Sequence, residues 1–353
     1  TYLSDKVHNK NHEQRDFVDL NAPMISREFQ KAGYATAHIG KWHMGGGRDV
    51  DNAPSILKYG FDYCISTWES PNPDPLLIAS NWIWCNDDSI KRWNRTAYFV
   101  DKTVEYIQKQ AGKPFYINLW PDDVHTPWVP EDLRDNKKEW ESEEAFTKVM
   151  AETDRQIGRL INALDQMGLS ENTLIIFTSD NGPAPSFNNV RGCGLRGQKN
   201  SLYEAGINMP FIIKYPKRIN PGIVDTTSVI CSVDLYPSLC KIAGIEMATK
   251  ESLDGEDLST VLLGKVKMKR AHDLMWDFGR NKYFNRPPNP RDRSPHLAIR
   301  QGDWKLLTNA DGSNTELYNI RTDRFETTDV ALSKPSLVES LKKTLIEWYN
   351  QYK

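Results

Sequence analysis

Six side chains in four short stretches are of types that do chemistry together. Lys41 and His43 stand two apart in "GKWHMGG", His125 sits in "PDDVHTPW", Asp180 and Asn181 adjoin in "TSDNGP", and Lys199 lies in "GCGLRGQKNS". A carboxylate beside an amide offers the hard oxygen ligands that Ca²⁺ or Mg²⁺ takes. Lysines bring fixed positive charge to an anion, and an imidazole can hand a proton to a leaving oxygen. Together with one divalent cation, these groups describe a pocket for a tetrahedral oxyanion ester. Each also has a plainer reading: Asp-Asn-Gly is a favoured turn, "VHTP" can be a capped turn, and most lysines are solvated. Placement decides between the two.

The elements that must position these residues recur in one pattern. "APMISREFQKAG" reads as a helix closed by Gly33, "ATAHI" as a strand, and "GKWHMGG" follows it. "TAYFVDKTVEYIQKQAG" places Phe99, Thr103, Tyr106 and Ile107 at helical spacing, "PFYINLW" is a compact apolar run, and "PDDVHTPW" follows. In "EAFTKVMAETDRQIGRLINALDQMG" the residues Phe146, Val149, Met150, Ile157, Leu160, Ile161 and Leu164 make a helical stripe, then comes "TLIIF", then "TSDNGP". Helices alternating with short apolar strands imply βαβ units and a mostly parallel sheet flanked by helices. In open sheets of this kind ligands gather outside the carboxyl ends of the strands, so the three loops are expected at one edge. In extended backbone Lys41 and His43 would share one side, with Trp42 turned the other way into packing.

Further along, Pro210 to Tyr215 reads as another strand and "DLYPSLCKIAGI" as a short helix. From residue 266 the texture changes: "HLAIRQGDWKLLT" and "TELYNI" alternate like hairpin strands, and "PSLVESLKKTLIEWYNQY" is an amphipathic helix. The expected organisation is an α/β catalytic domain over 1–265 and a small α+β subdomain, antiparallel sheet plus terminal helix, over 266–353. The basic, proline-rich "GRNKYFNRPPNPRDRSPH" before it reads as a long loop.

Composition narrows the partners. With 39% hydrophobic and 26% charged residues the balance is that of a globular chain, and a formal charge of −2 gives no global basic field for nucleic acid. No apolar run reaches the ~18–20 residues of a membrane span, and the opening residues hold no signal-peptide core. Five cysteines without CxxC spacing argue against zinc ribbons and are expected as mostly buried thiols, with room for one disulfide.

These motifs carry a family resemblance. "GYATAHIGKWHMGG" resembles the second sulfatase signature, "FTSDNGP" the metal-binding strand end of sulfatases, and "GLRGQKNSLYEAGINMPFII" their "LRG-x-K-x-S-x-YEGG-x-x-x-P" segment. The resemblance extends to the "LAIRQGDWKLL…ELYNI" region and so covers essentially the whole chain. It implies the alkaline-phosphatase-like fold and hydrolysis of a sulfate ester. By motif, Asp180 and Asn181 would ligate one divalent cation, Ca²⁺ by preference over Mg²⁺, and Lys41 and Lys199 would bind sulfate oxygens. His43 would serve a formylglycine hydrate, and His125, helped by Lys199, would protonate the leaving alcohol. The substrate implied is a small or oligosaccharide sulfate ester, with Trp68, Arg280 and Arg293 as candidates to stack on or pair with a sulfated sugar. An exported location, periplasmic or secreted, is implied too.

The sequence departs from the family at the nucleophile. Sulfatases make formylglycine from the Cys or Ser of C/S-x-P-x-R, and none of the five cysteines has Pro at +2 and Arg at +4. The expectation is that the nucleophile, with a strand–helix unit bearing two metal-binding aspartates, lies upstream, and that these residues alone are catalytically incompetent. Two rival readings stand beside sulfate-ester hydrolysis: a phosphodiesterase or phosphonate monoester hydrolase of the same superfamily, and a catalytically dead sulfatase-like protein that binds glycans.

Overall fold

The computed structural model describes residues 6–11, 15–46, 50–77, 88–248, 253–278 and 287–351. Two compact units divide the chain, Tyr2–Asn172 with Leu239–Ser252, and Thr173–Ser238 with Leu253–Lys353. In the first, α1 (Lys6–Asn11) and α2 (Ile25–Lys31) precede β1 (Ala35–Gly40). α2 stops where expected, with Gly33 at φ 89° in the left-handed region. β2 (Tyr63–Ser66), α3 (Arg95–Lys109), β3 (Phe115–Trp120) and α4 (Glu143–Gln166) complete it.

The three strands form a parallel sheet in the order β2-β1-β3, with Gly40 paired to both Ser66 and Trp120, so their carboxyl ends coincide. Every residue of β1 is buried. Ala35, Ala37 and Ile39 pack with Phe99 and Tyr106 of α3, while on the other face Phe29 of α2 meets Tyr116 at 4.9 Å. Helices on both faces are what a parallel sheet needs, because neither face can be left wet when its side chains are apolar. Full burial of a side chain such as Ile39 or Phe99 contributes about 1.5–3 kcal/mol. The stripe of α4 is less buried than its pattern implies: Val149 and Leu164 are buried, whereas Met150 is exposed.

The second unit departs from the repeated pattern. β4 (Ile175–Thr178) pairs antiparallel with β5 (Phe211–Lys214), not within the parallel sheet. A parallel return needs a crossover that runs back the length of the strand. Between these strands the only α-helix among the described residues is the four-residue α5 (Glu204–Ile207), so the chain re-enters from the end it left. The parallel sheet therefore positions the loops after β1 and β3, and the loop after β4 has its own support. α6 (Leu235–Ala243) spans the division of units, and α7 (Ser259–Leu262) follows.

The C-terminal region has the expected antiparallel sheet with one more strand than the sequence pattern showed: β6 (Leu274–Asp277), β7 (Leu297–Gln301), β8 (Trp304–Thr308) and β9 (Glu316–Asn319), in sequential order. α8 (Pro335–Gln351) lays Val338, Leu341 and Leu345 on Leu297, Ile299, Leu306 and Leu317. The alternate residues Ala298, Leu307 and Tyr318 pack on Leu202 and Tyr203. Among the described residues no helix is long and apolar enough to cross a membrane.

Candidate active site

At the carboxyl end of β1 the backbone of Lys41 donates to Trp120 O at 2.9 Å, which fixes the start of its loop beside the end of β3. Gly40 is obligatory there: its φ is 117°, and a Cβ would lie 2.1 Å from Trp120 O. Beyond Lys41 the strand does not continue. His43 has φ 40°, and Gly45 and Gly46 follow with φ 109° and 117°, so the extended geometry expected across Lys41–His43 gives way to a turn. A Cβ on Gly46 would lie 2.4 Å from Pro71 N, which explains the glycine after the histidine. Trp42 is buried with Ile56, Tyr59 and Phe61, as its predicted inward role requires. Lys41 and His43 are half-buried.

His125 follows β3 and is half-buried. Its Nδ1 lies 2.7 Å from Thr126 O. A carbonyl only accepts, so in this contact Nδ1 carries a proton. The loop is braced by charges that sequence reading passed over. Arg92 Nη2 donates to Asp122 O at 2.7 Å and to His125 O at 3.1 Å, and Arg92 Nη1 pairs with Asp122 Oδ2. Arg95 Nη1 reaches the same carboxylate oxygen at 3.0 Å. Asp123 Oδ2 accepts from Thr96 N at 2.9 Å. Burial pushes the Asp122 carboxyl up, but Arg92, Arg95 and Lys41 outweigh it and hold it well below the usual carboxylate range. Burial and the neighbouring Asp122 charge push Asp123 the other way, against Arg92. The only sequence trace of this network is the "DD" before "VHTP" and the arginines three apart at the start of α3.

In the second unit the loop after β4 is closed onto the Lys199 loop. Lys199 N donates to Pro183 O at 2.8 Å, and Gly182 N to Gly206 O at 3.0 Å. Gly182 has no alternative, since a Cβ would lie 1.9 Å from Ala205 O. Backbone bonds thus bring Asp180, Asn181 and Lys199 onto two adjoining loops of one unit. Arg196 anchors the Lys199 loop: its guanidinium lies 3.7 Å from the Tyr203 ring centroid and donates to Tyr318 Oη at 2.7 Å and Glu316 at 3.3 Å.

The donor set at Asp180–Asn181 fits a hard cation. Asp180 is exposed, and Asn181 Nδ2 is spent on Gly182 O at 2.9 Å, which fixes the amide so that Oδ1 is its ligating atom. Two oxygens are part of a shell. Among the described residues no group of three or more His, Cys, Asp or Glu could hold a metal.

The candidate sugar contacts fare differently. Trp68 is half-buried in the first unit. Arg293 donates to its own loop through Nε, to Pro287 O at 2.7 Å, and through Nη2, to Pro288 O at 3.0 Å. Arg280 lies outside the described residues, as does Cys85. Of the other cysteines only Cys240 is buried and Cys193 is exposed; all four are free thiols, contrary to the expectation of mostly buried cysteines.

The family model described as Sulfatase matches residues 4–245, and the one described as N-sulphoglucosamine sulphohydrolase, C-terminal, matches residues 197–351. Similar proteins include an N-acetylgalactosamine-6-O-sulfatase of Bacteroides thetaiotaomicron, 24% identical, covering 93% of this chain and 77% of that protein. Human arylsulfatase A is 30% identical, over 95% of this chain and 68% of its own length. A solved structure of a sulfatase from a glycosaminoglycan-metabolising locus of Bacteroides thetaiotaomicron superposes with a TM-score of 0.73 at 22% identity, covering 94% of this chain and 82% of that one. A family match over residues 4–245, with a relative 30% identical across 95% of the chain, makes this protein a member of the sulfatase family, the sulfuric ester hydrolases with the alkaline phosphatase superfamily fold.

Proposed function

We propose that the substrate is a sulfated carbohydrate and that Lys41, His43, His125, Asp180, Asn181 and Lys199 carry its hydrolysis. The observation that carries the mechanism is the His125 ring, whose Nδ1 lies 2.7 Å from Thr126 O: an imidazole held through Nδ1–H exchanges its second proton at Nε2, and as the imidazolium it can protonate a leaving alcohol oxygen there. Lys41 and Lys199 neutralise sulfate oxygens, where charge builds as the S–O bond breaks. His43 takes and returns a proton at the nucleophile. Asp180 and Asn181 would hold a divalent cation, Ca²⁺ by their oxygen donors, which lends positive charge to the sulfate. Formylglycine, once supplied, provides the attacking oxygen.

The carbohydrate assignment is supported by the relatives, one named for N-acetylgalactosamine-6-O-sulfate and one drawn from a glycosaminoglycan locus. Trp68 is a side chain of the type that stacks on a sugar ring, and Arg280 and Arg293 are cations of the type that pairs with its sulfates. Export to the periplasm or the medium fits a polymeric sulfated substrate met outside the cell. The test is hydrolysis by the formylglycine-bearing protein of an aryl sulfate, an aryl phosphate and a panel of sulfated mono- and disaccharides, read as the sulfate or phosphate released. Release from the aryl sulfate and from at least one sugar is expected. Faster cleavage of the phosphate, or binding of sugars without release, would overturn the assignment.

A further inference from the structure

The charges behind the His125 loop are costly and do more than fill space. Arg92, Arg95, Asp88, Asp122 and Asp123 are each 7% exposed or less. Burying five ionisable groups is unfavourable unless their geometry is good, and apolar residues of similar volume would pack as well or better. The cluster is also incompletely satisfied: Arg92 Nε and Asp123 Oδ1 meet only as an ion pair at 3.9 Å, and Arg95 Nε and Asp122 Oδ1 have no hydrogen-bond partner among the described residues. Stability alone does not account for it.

Its bonds converge on one short segment. Arg92 holds the carbonyl of Asp122 and the carbonyl of His125 with the same Nη2, at 2.7 and 3.1 Å. Between those carbonyls the loop closes on itself, His125 N donating to Asp122 O at 3.1 Å. The Asp122 carboxylate ties Arg92 to Arg95, and Arg95 reaches Asp88 Oδ2 at 3.4 Å. Asp123 fastens the start of α3 through Thr96. The planar guanidinium is the only side chain able to grip two carbonyls and a carboxylate in one fixed fork.

We infer that Arg92 and Asp122 are positioning residues for His125: the guanidinium, locked by the Asp122 carboxylate and Arg95, sets the His125 backbone and thereby aims Nε2 at the leaving oxygen. This rests on the sulfatase reading above. Misplacing a catalytic group by about an ångström costs on the order of a hundredfold in rate.

The test uses the formylglycine-bearing protein and two aryl sulfates, one with a strongly acidic phenol and one with a weakly acidic phenol. Arg92→Lys keeps the charge and loses the fork. It is expected to lower kcat on the poorer leaving group by about tenfold or more, to change the activated ester by less than about threefold, and to leave KM nearly unchanged, since an activated leaving group needs no general acid. In a His125→Ala background the same change should add less than about twofold, because groups acting as a unit are non-additive. Asp122→Asn, isosteric and neutral, should give the same pattern if Arg92→Lys fails to fold. Equal loss on both esters, or full persistence of the effect without His125, would show a merely structural role and overturn the inference. Amide hydrogen exchange provides an arm free of activity: faster exchange confined to 122–128 with β1 unchanged is expected in Arg92→Lys, and unchanged exchange there overturns the clamp. A wild-type protein that releases no sulfate overturns the reading of function instead, while the exchange contrast still decides the clamp.

Discussion

Lys305 Nζ lies 2.9 Å from Glu204 Oε1, with no part of the Lys305 side chain exposed. The same ammonium lies 2.9 Å from Glu326. One buried cation thus serves two carboxylates, and they respond in opposite directions. Burial pushes both up; attraction to Lys305 outweighs it at Glu204, whereas at Glu326 the neighbouring Glu204 charge adds to the push. Because Glu204 opens α5, next to the Lys199 loop, the contact pins that helix to β8. Replacing Lys305 with Met strands buried carboxylate charge and should cost about 3–5 kcal/mol. Urea unfolding of the variant is the check, and an unchanged midpoint would refute this account.

His38 sits on β1 among Trp42, Phe61 and Trp120, with ring centroids 5.1, 5.6 and 5.0 Å away. Burial pushes its imidazole down to about 4, against an opposing effect of the backbone at Gly40 and Lys41. The unfolded chain binds this proton near pH 6.5 and the native protein does so only near 4, so stability is complete above 6.5 and declines as pH falls toward 4. The total loss should be about 3 kcal/mol. Unfolding midpoints from pH 4 to 7.5 measure it, and His38→Leu should flatten the slope in that window.

Gly40→Ala drives a methyl group into the Trp120 carbonyl and imposes a φ of 117° on an L-residue. Strain of that kind costs about 1–3 kcal/mol before the clash is counted. Thermal unfolding should show the loss, and sulfatase turnover of the surviving protein should fall because Lys41 begins at that junction. A variant with wild-type melting and turnover would contradict the close approach.

Lys41→Ala, Lys199→Ala and His125→Ala should each lower kcat/KM on an aryl sulfate by about a hundredfold or more, as loss of a charge stabiliser or general acid does. His125→Ala should lose least on an activated ester. Steady-state kinetics on two leaving groups separates the acid from the anion binders.

Chelation should inactivate the formylglycine-bearing protein and added Ca²⁺ should restore it. Asp180→Ala or Asn181→Ala should raise the Ca²⁺ concentration for half-maximal activity by about tenfold or more, a weakening at least as large as that seen when a ligand's supporting partner is lost. Activity indifferent to chelator and to both changes would remove the cation from this loop.

Much was legible from periodicity. The helix–strand pattern before "GKWH" and before "PDDVHTPW" specifies α2–β1 and α3–β3 because one apolar stripe and one buried strand each leave a direct trace. The glycines at the strand ends were legible for a related reason: they answer to local geometry, since a Cβ would lie 2.1 Å from Trp120 O at Gly40 and 1.9 Å from Ala205 O at Gly182. Cysteine burial was not legible, since thiols are tolerated on either side of a surface.

By itself, then, the sequence determined the α/β class with its C-terminal sheet and helix and membership in the sulfatase family. Only the tertiary structure decided that β4 runs antiparallel to β5, since pairing direction depends on how the connection returns and not on the strand's own residues. It also decided that Lys305, Arg92 and Arg95 are buried, a reversal of their usual fate made possible by partners 27 to 101 residues away, Glu204 for Lys305 and Asp122 for Arg92 and Arg95. Long-range charge pairing leaves no periodic signal. It appears only when distant carboxylates are brought within hydrogen-bond reach.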